Sequence, residues 1–377
     1  MSWPKGATPW SERRGGAWRA ALAAGLAALL LVACQVRRGP APVSVALLRI
    51  GPPVRLTDRA ALSPAAWSPD GRALAYADGR GLWIVSLQGK ERKVTAVGVA
   101  TQVAWSRPTG LLAYIDRGQV FVVHPERGTR RRLVLPGEGA VLATHLAWAP
   151  GSDELAVAAR VGEGPGRSEV WLISADGRMR RQVLPGLGPG GEIPQGLAVE
   201  ALQWFPDSLF LFIGLGPEGG GVSRLLRWRI RYPDRRVLPQ PFPRIFWPQL
   251  APDGVRIAFA AADPAASSVL HAWAARADGR GAPRRLSPEA GRITGLAWAP
   301  TSDKVAYARV LDEARGEIWL ADVDGGGRVR AAEFRAEFPD PGLPLVVRWS
   351  GDGRHLAYGS NSGSYTGPVW VIRLERR

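Results

Sequence analysis

Hydrophobic and polar residues alternate along most of the chain in short bursts, each closed by Gly, Pro or Asp. An alternation of period two over roughly four to eight residues, bounded by turn formers, predicts half-buried strands. No helical period runs between these bursts. The clearest unit is Ala66-Trp67-Ser68-Pro69-Asp70-Gly71-Arg72-Ala73-Leu74-Ala75-Tyr76. It reads as a strand ending in Trp, a tight reversal, and a second strand of small and aromatic residues. Pro presets φ, and Asp and Gly tolerate the reversal.

The unit repeats. Trp67 recurs as Trp105, Trp148, Trp204, Trp298 and Trp349, and Leu250 takes the same place in Leu250-Ala251-Pro252-Asp253-Gly254. The copies begin near residues 63, 101, 144, 200, 246, 294 and 345. Their spacing of roughly 38 to 56 residues is in the range of a propeller blade. After the turn comes Leu74-Ala75-Tyr76, echoed by Leu112-Ala113-Tyr114, Val305-Ala306-Tyr307 and Leu356-Ala357-Tyr358. A third strand centres on an aromatic (Leu82-Trp83-Ile84-Val85, Ile318-Trp319-Leu320-Ala321), and a fourth is basic. Four short strands per unit with no helix between them predict an all-β, seven-bladed β-propeller of four-stranded antiparallel blades. Six blades plus one irregular unit remain the alternative.

The Trp-Ser-Pro-Asp-Gly…Leu-Ala-Tyr…Ile-Trp-Val pattern resembles the PD40 (WD40-like) repeats of TolB-like β-propellers, over about residues 47–377. The same repeats build the propeller of prolyl-oligopeptidase-like enzymes, so the resemblance implies a fold and leaves function open. The last copy ends after its third strand, and Pro53-Val54-Arg55-Leu56-Thr57 looks like a missing fourth. That segment is expected to pair onto the last blade and close the ring, which removes an exposed edge.

Residues 1–33 carry basic Lys5, Arg13, Arg14 and Arg19 ahead of the apolar run Ala20–Ala33. The run is short of the roughly 20 residues a spanning helix needs. A basic start, short apolar core and small residues at its end describe a signal peptide. Leu31-Val32-Ala33-Cys34 matches the lipobox of bacterial lipoproteins, and Cys34 is the chain's sole cysteine. The resemblance implies cleavage before Cys34 and acylation of its thiol, with residues 34–46 as a tether; an uncleaved signal anchor is the alternative. The expected address is extracytoplasmic, on a bacterial cell membrane. With its one cysteine assigned to lipid, the chain forms no disulfide, and the blades must hold by packing.

The net charge is +16, and the first 33 residues account for little of it. Arginines concentrate on expected fourth strands: Arg130-Arg131-Arg132, Arg180-Arg181, Arg235-Arg236 and Arg284-Arg285. A basic rim either lies against anionic headgroups or simply solvates the outer strands. No nucleic-acid-binding module is visible.

Motifs for chemistry are sparse. Gly186-Leu187-Gly188-Pro189-Gly190-Gly191 and Gly214-Leu215-Gly216-Pro217-Glu218-Gly219 fit GxGxxG but open no helix in a βαβ unit. Asp322-Val323-Asp324-Gly325 resembles the start of a calcium loop without its later ligands. Gly359-Ser360-Asn361-Ser362-Gly363 misplaces the Ser of a nucleophile elbow. His124, His145, His271 and His355 share no metal-binding spacing. No catalytic residue, metal or cofactor is assigned, and the Trp residues are read as blade core.

Loop lengths remain as the functional signal. Loops between second and third strands are short in the first two copies and longer at 161–168, 215–222, 262–268, 311–316 and 361–367. Long loops on a rigid scaffold are where binding concentrates. The candidate binding-face residues are Glu163, Arg167, Glu218, Asp263, Asp312, Glu313, Arg315, Asn361 and Tyr365. The reading is a monomeric, membrane-tethered propeller acting as a protein- or peptide-binding module in the envelope. The alternative is a propeller enzyme or small-ligand sensor with its site in the central channel.

Overall fold

The computed structural model describes residues 43–59, 61, 65–136, 140–162, 167–184, 196–217, 220–231, 235–263, 266–287, 292–312, 315–335, 345–360 and 367–377. Its strands form seven antiparallel sheets, six of them meanders in sequence order and the seventh completed by N-terminal strands, and the seven-bladed expectation holds. Blade 3 shows the plan: Val141–Trp148 innermost, then Glu154–Val161, Arg167–Ser174 and Arg180–Leu184 at the outside. The one helical element among the described residues is a 3-10 turn at Val45–Leu47.

The second strand of each blade explains how the ring packs. Because successive side chains point to opposite faces, its two sets of residues meet two different neighbours. Leu74 and Tyr76 pack toward blade 7, while Ala75 and Ala77 face blade 2. Leu112 and Tyr114 repeat this against blade 1, and Val305 and Tyr307 against blade 5, with Ala306 and Ala308 turned to blade 7. The Leu-Ala-Tyr motif thus sets large residues toward the preceding blade and a flat alanine face toward the next. Alternating large and small faces let wedge-shaped neighbours fill the taper of a ring. The result is seven hydrophobic clusters, one at each junction between blades.

Closure follows the expected route, with an addition. Val54–Arg55 pairs with Val371 and Trp370 of the last third strand, Trp370–Arg376. A further segment, Leu48–Ile50, pairs with Leu374–Arg376 on the same strand, so the fourth strand of blade 7 comes in two pieces. Upstream, Val45 is fully buried in the cluster between blades 6 and 7. Its N–H donates to Asp322 Oδ1 at 3.0 Å, and Ser44 Oγ donates to Asp322 Oδ2 at 2.5 Å. Asp322, which begins the sequence resembling a calcium loop, therefore holds the N-terminal segment against blade 6.

The connections divide between two faces. Links from first to second and third to fourth strands share one face; links from second to third strands and between blades share the other. Arg376 and Asp322 lie at the ends of third strands, so the N-terminal segment enters at the first of these faces. Opposite it, the second strands are unequal. Beyond the residue paired with the ring Trp or Leu, they run from Leu155 to Val161, Leu211 to Gly216, Ile257 to Asp263 and Val305 to Val310 in blades 3–6. In blades 1 and 2 they stop sooner, at Ala77 and Asp116. At about 3.3 Å per residue, the one to three extra residues make the hairpins of blades 3–6 roughly 3–10 Å taller.

Candidate functional site

The first strands of all seven blades line a central channel, whose cavity is about 780 Å³. The residue before each ring Trp or Leu faces this channel. Those residues are Ala66, Ala104, Ala147, Gln203, Gln249, Ala297 and Arg348. The four alanines keep the bore open, and the three long polar side chains furnish it.

The ring tryptophans line the channel, and four of them bond to the neighbouring blade. The Trp105 indole N–H donates within its own blade to the Gly110 carbonyl at 3.0 Å, and that of Trp349 has no partner among the described residues. The Trp67 indole N–H donates to the Arg348 carbonyl at 3.0 Å, that of Trp148 to Ala104 at 3.2 Å, that of Trp204 to Ala147 at 2.9 Å and that of Trp298 to Gln249 at 3.0 Å. Each of these four bonds ties a blade to the inner strand of its predecessor. Where Leu250 replaces Trp and cannot donate, Gln203 bridges the same junction by accepting from Leu250 N at 2.7 Å. Gln102 accepts likewise from Leu146 N at 3.0 Å, and Gln249 Nε2 donates to the Leu296 carbonyl at 2.7 Å. A buried backbone group left unpaired is costly, so these side chains fix the spacing of adjacent inner strands.

β-Bulges disrupt the first strands of blades 2–6 toward the loop-bearing end. Around them His145 and Glu200 enter the channel wall. Trp247 also lines the wall and has φ 48°. That conformation is a genuine outlier for a bulky side chain. Near the opposite mouth stand Arg107, Pro150, Pro206 and Pro252.

His145 is half-buried on the channel wall, where desolvation pulls its imidazole down to about 4. With a depressed folded-state value, its stabilising contribution is full above about pH 6.5 and is lost as pH falls toward 4, because the unfolded chain binds the proton first. The loss should reach about 2 kcal/mol, allowing for the open channel beside it. Urea melts of the wild type and His145→Gln across that window should show the variant lacking this component. Equal pH slopes would contradict it.

The loop residues singled out in the sequence meet different fates. Arg315 and Asp312 form an exposed pair across the blade 6 hairpin, with Nε to Oδ2 at 2.9 Å. Arg167 opens the third strand of blade 3 opposite Val161, and Asp263 ends the second strand of blade 5 opposite Ala266. Glu163, Glu218, Glu313, Asn361, Tyr365 and Cys34 lie outside the described residues, as does the glycine run 186–191. The paired Asp312 and Arg315 are therefore less available to a partner than their exposure alone implies. Of the other histidines, His271 is buried with Nδ1 3.0 Å from the Ser287 carbonyl. Among the described residues, no group of three or more His, Cys, Asp or Glu is placed to hold a metal ion.

No protein-family model matches the chain, and no curated protein matches it. Solved structures do. An oligogalacturonate lyase in complex with manganese aligns with a TM-score of 0.66 at 11% identity, over 87% of this chain and 96% of that one. The β-propeller domain of Myceliophteria thermophila Cps50 (Swd1) gives 0.57 at 15%, over 86% and 99%. TolB from Acinetobacter baumannii gives 0.47 at 17%, over 73% of this chain and 63% of that chain, so this chain spans less than two thirds of that TolB chain. At such identities the likeness is one of fold. The chain is a seven-bladed β-propeller, similar in fold to that lyase and to the Swd1 propeller domain.

Proposed function

We propose that this chain is a lipid-anchored, extracytoplasmic interaction module that takes a protein or peptide partner of the cell envelope on its loop-bearing face. The observation that carries this reading is the uneven height of that face. The hairpins of blades 3–6 form a wall, while blades 1 and 2 stay low. A rigid wall beside an open side gives a partner a bounded concave surface, and rigid strands present it at little entropic cost.

The lipobox Leu31-Val32-Ala33-Cys34 supports the anchor. The entry of the N-terminal segment supports its orientation, because Ser44 and Val45 dock on the face away from the tall hairpins. The residues from Cys34 to Val43 can span at most ~30 Å. An acylated Cys34 would then hold the turn face toward the bilayer and leave the hairpin wall pointing outward.

Cross-linking in native membranes tests both parts. Cys34→Ala should move the protein out of the membrane fraction. Replacing residues 161–168 and 311–316 with two-residue turns should abolish capture of the partners recovered by the full chain, with the melting temperature changed by no more than about 3 °C. Unchanged partners after trimming would remove the interaction face. Retention of Cys34→Ala in the membrane would remove the lipid anchor.

A further inference from the structure

Arg348 is the exceptional residue of the channel. It faces the bore at the level of Ala66 and Gln203, and its one side-chain hydrogen bond runs from Nη1 to the Val347 carbonyl at 3.0 Å. Among the described residues no carboxylate pairs with it, and burial disfavours its charged form. Glu200, the one acid lining the cavity, already has a partner. A cation so placed is costly unless something pairs with it.

Three further observations converge on the same cavity. The glutamines that join the blades use half of each amide: Gln102 and Gln203 accept through Oε1, and Gln249 donates through Nε2. The remaining halves, two NH₂ groups and one carbonyl, have no partner among the described residues, so the cavity offers donors and an acceptor together. A hydroxyl group both donates and accepts, and so suits such a set. Second, Trp247 is held in a strained backbone conformation and lines the wall; strain of this kind clusters at ligand clamps. Third, Arg107 reaches from the blade 2 turn to the blade 7 turn, where a Cβ on Gly351 would come within 3.1 Å of its Nη2. It has no acidic partner among the described residues and stands at the mouth, roughly 10 Å along the strand direction from the Arg348 level.

We propose that the channel is a binding site for a small hydroxylated organic carboxylate of the sugar-acid type, with Arg348 receiving the carboxylate. The free halves of Gln102, Gln203 and Gln249 take the hydroxyls, Trp247 covers the apolar face of the ring, and Arg107 attracts the anion at the entrance. A single planar guanidinium matches the two oxygens of one carboxylate. The two arginines lie at different depths and do not converge as a phosphate dianion would require. The cavity volume of about 780 Å³ is within the range of small-molecule sites. This site is separate from the hairpin wall and stands whether or not a protein partner binds there.

Calorimetric titration of the full chain in detergent micelles tests it, with glucuronate, glucose and inorganic phosphate as probes. Salt at about 0.15 M suppresses diffuse binding to the basic rim. Glucuronate should bind saturably at one site, at least about tenfold more tightly than glucose or phosphate. Arg348→Met should weaken it at least about tenfold, Arg348→Lys should weaken it while keeping the charge, and exposed Arg178→Met should leave it unchanged. Arg348→Lys serves as the binding test if the Met variant does not fold. The hairpin-trimmed variant should bind glucuronate like the wild type, which separates this site from the interaction face. No saturable binding up to about 10 mM, phosphate binding as tight as glucuronate, or wild-type affinity in the Arg348 variants would overturn the proposal.

Discussion

A chain shortened to begin at Asp58 should lose about 10 °C in melting temperature and associate. The deletion removes Leu48–Ile50 and Val54–Arg55, the two pieces that pair with Trp370–Arg376. The last third strand would then become an open edge, able to pair with another copy. Val45 and Leu56 are buried, and burial of each such side chain contributes about 1.5–3 kcal/mol. Thr57 Oγ1 accepts from Val369 N at 2.9 Å, and leaving that N–H unpaired costs about 1–3 kcal/mol more. Together these come to about 4–9 kcal/mol, which corresponds to roughly 6–13 °C for a domain of this size. Melting and sedimentation would be measured with and without a peptide of residues 43–57, which should restore the monomer. A monomer melting within about 2 °C of wild type would mean that the blade 7–blade 1 cluster and the Trp67 bond to Arg348 close the ring alone.

Residue order makes the architecture legible because every blade solves the same packing problem. Trp, turn and Leu-Ala-Tyr recur since each second strand must set large residues against one neighbour and alanines against the other. Even Leu250, the copy without Trp, keeps its turn and hence its place. Partnerships between remote positions leave no such trace. Asp322 holds Ser44 across 278 positions, and its own neighbourhood reads only as a hairpin turn. Gln203 resembles any polar residue until Leu250 removes the indole donor from the next blade. Arg348 is concealed among many arginines, because only the ring shows which of them faces inward. Trp247-Pro248 was the one signal available for the channel wall: an extra Trp three residues ahead of Leu250, in the first strand of the blade that lacks the usual one.

Replacing Glu317 with Ala should destabilise the propeller by about 3–5 kcal/mol at pH 7, the usual cost of breaking a buried pair from one side. Glu317 and Arg309 are both buried, joined by an ion pair through Arg309 Nη2 and Glu317 Oε2. The same carboxylate accepts from Trp319 Nε1 at 2.8 Å and from Arg330 Nη1 at 3.0 Å. Burial alone would raise its pKa, yet the hydrogen bonds from Trp319, Arg309 and Arg330 prevail and bring it to about 2. An acid with a depressed folded-state value contributes fully above its unfolded value near 4.5, and the contribution fades as pH falls toward 2. The difference between wild type and Glu317→Ala should therefore hold constant from about pH 7 to 5 and shrink below that. This window lies below the one assigned to His145, so the two groups separate by pH as well as by mutation. A double replacement, Glu317→Met with Arg309→Met, should recover most of the loss, since hydrophobic isosteres often equal a buried pair. Denaturant melts from pH 7 to 3 decide the matter. A loss below about 1 kcal/mol, or one that persists undiminished at pH 3, would show that Glu317 contributes by filling space and not by its charge.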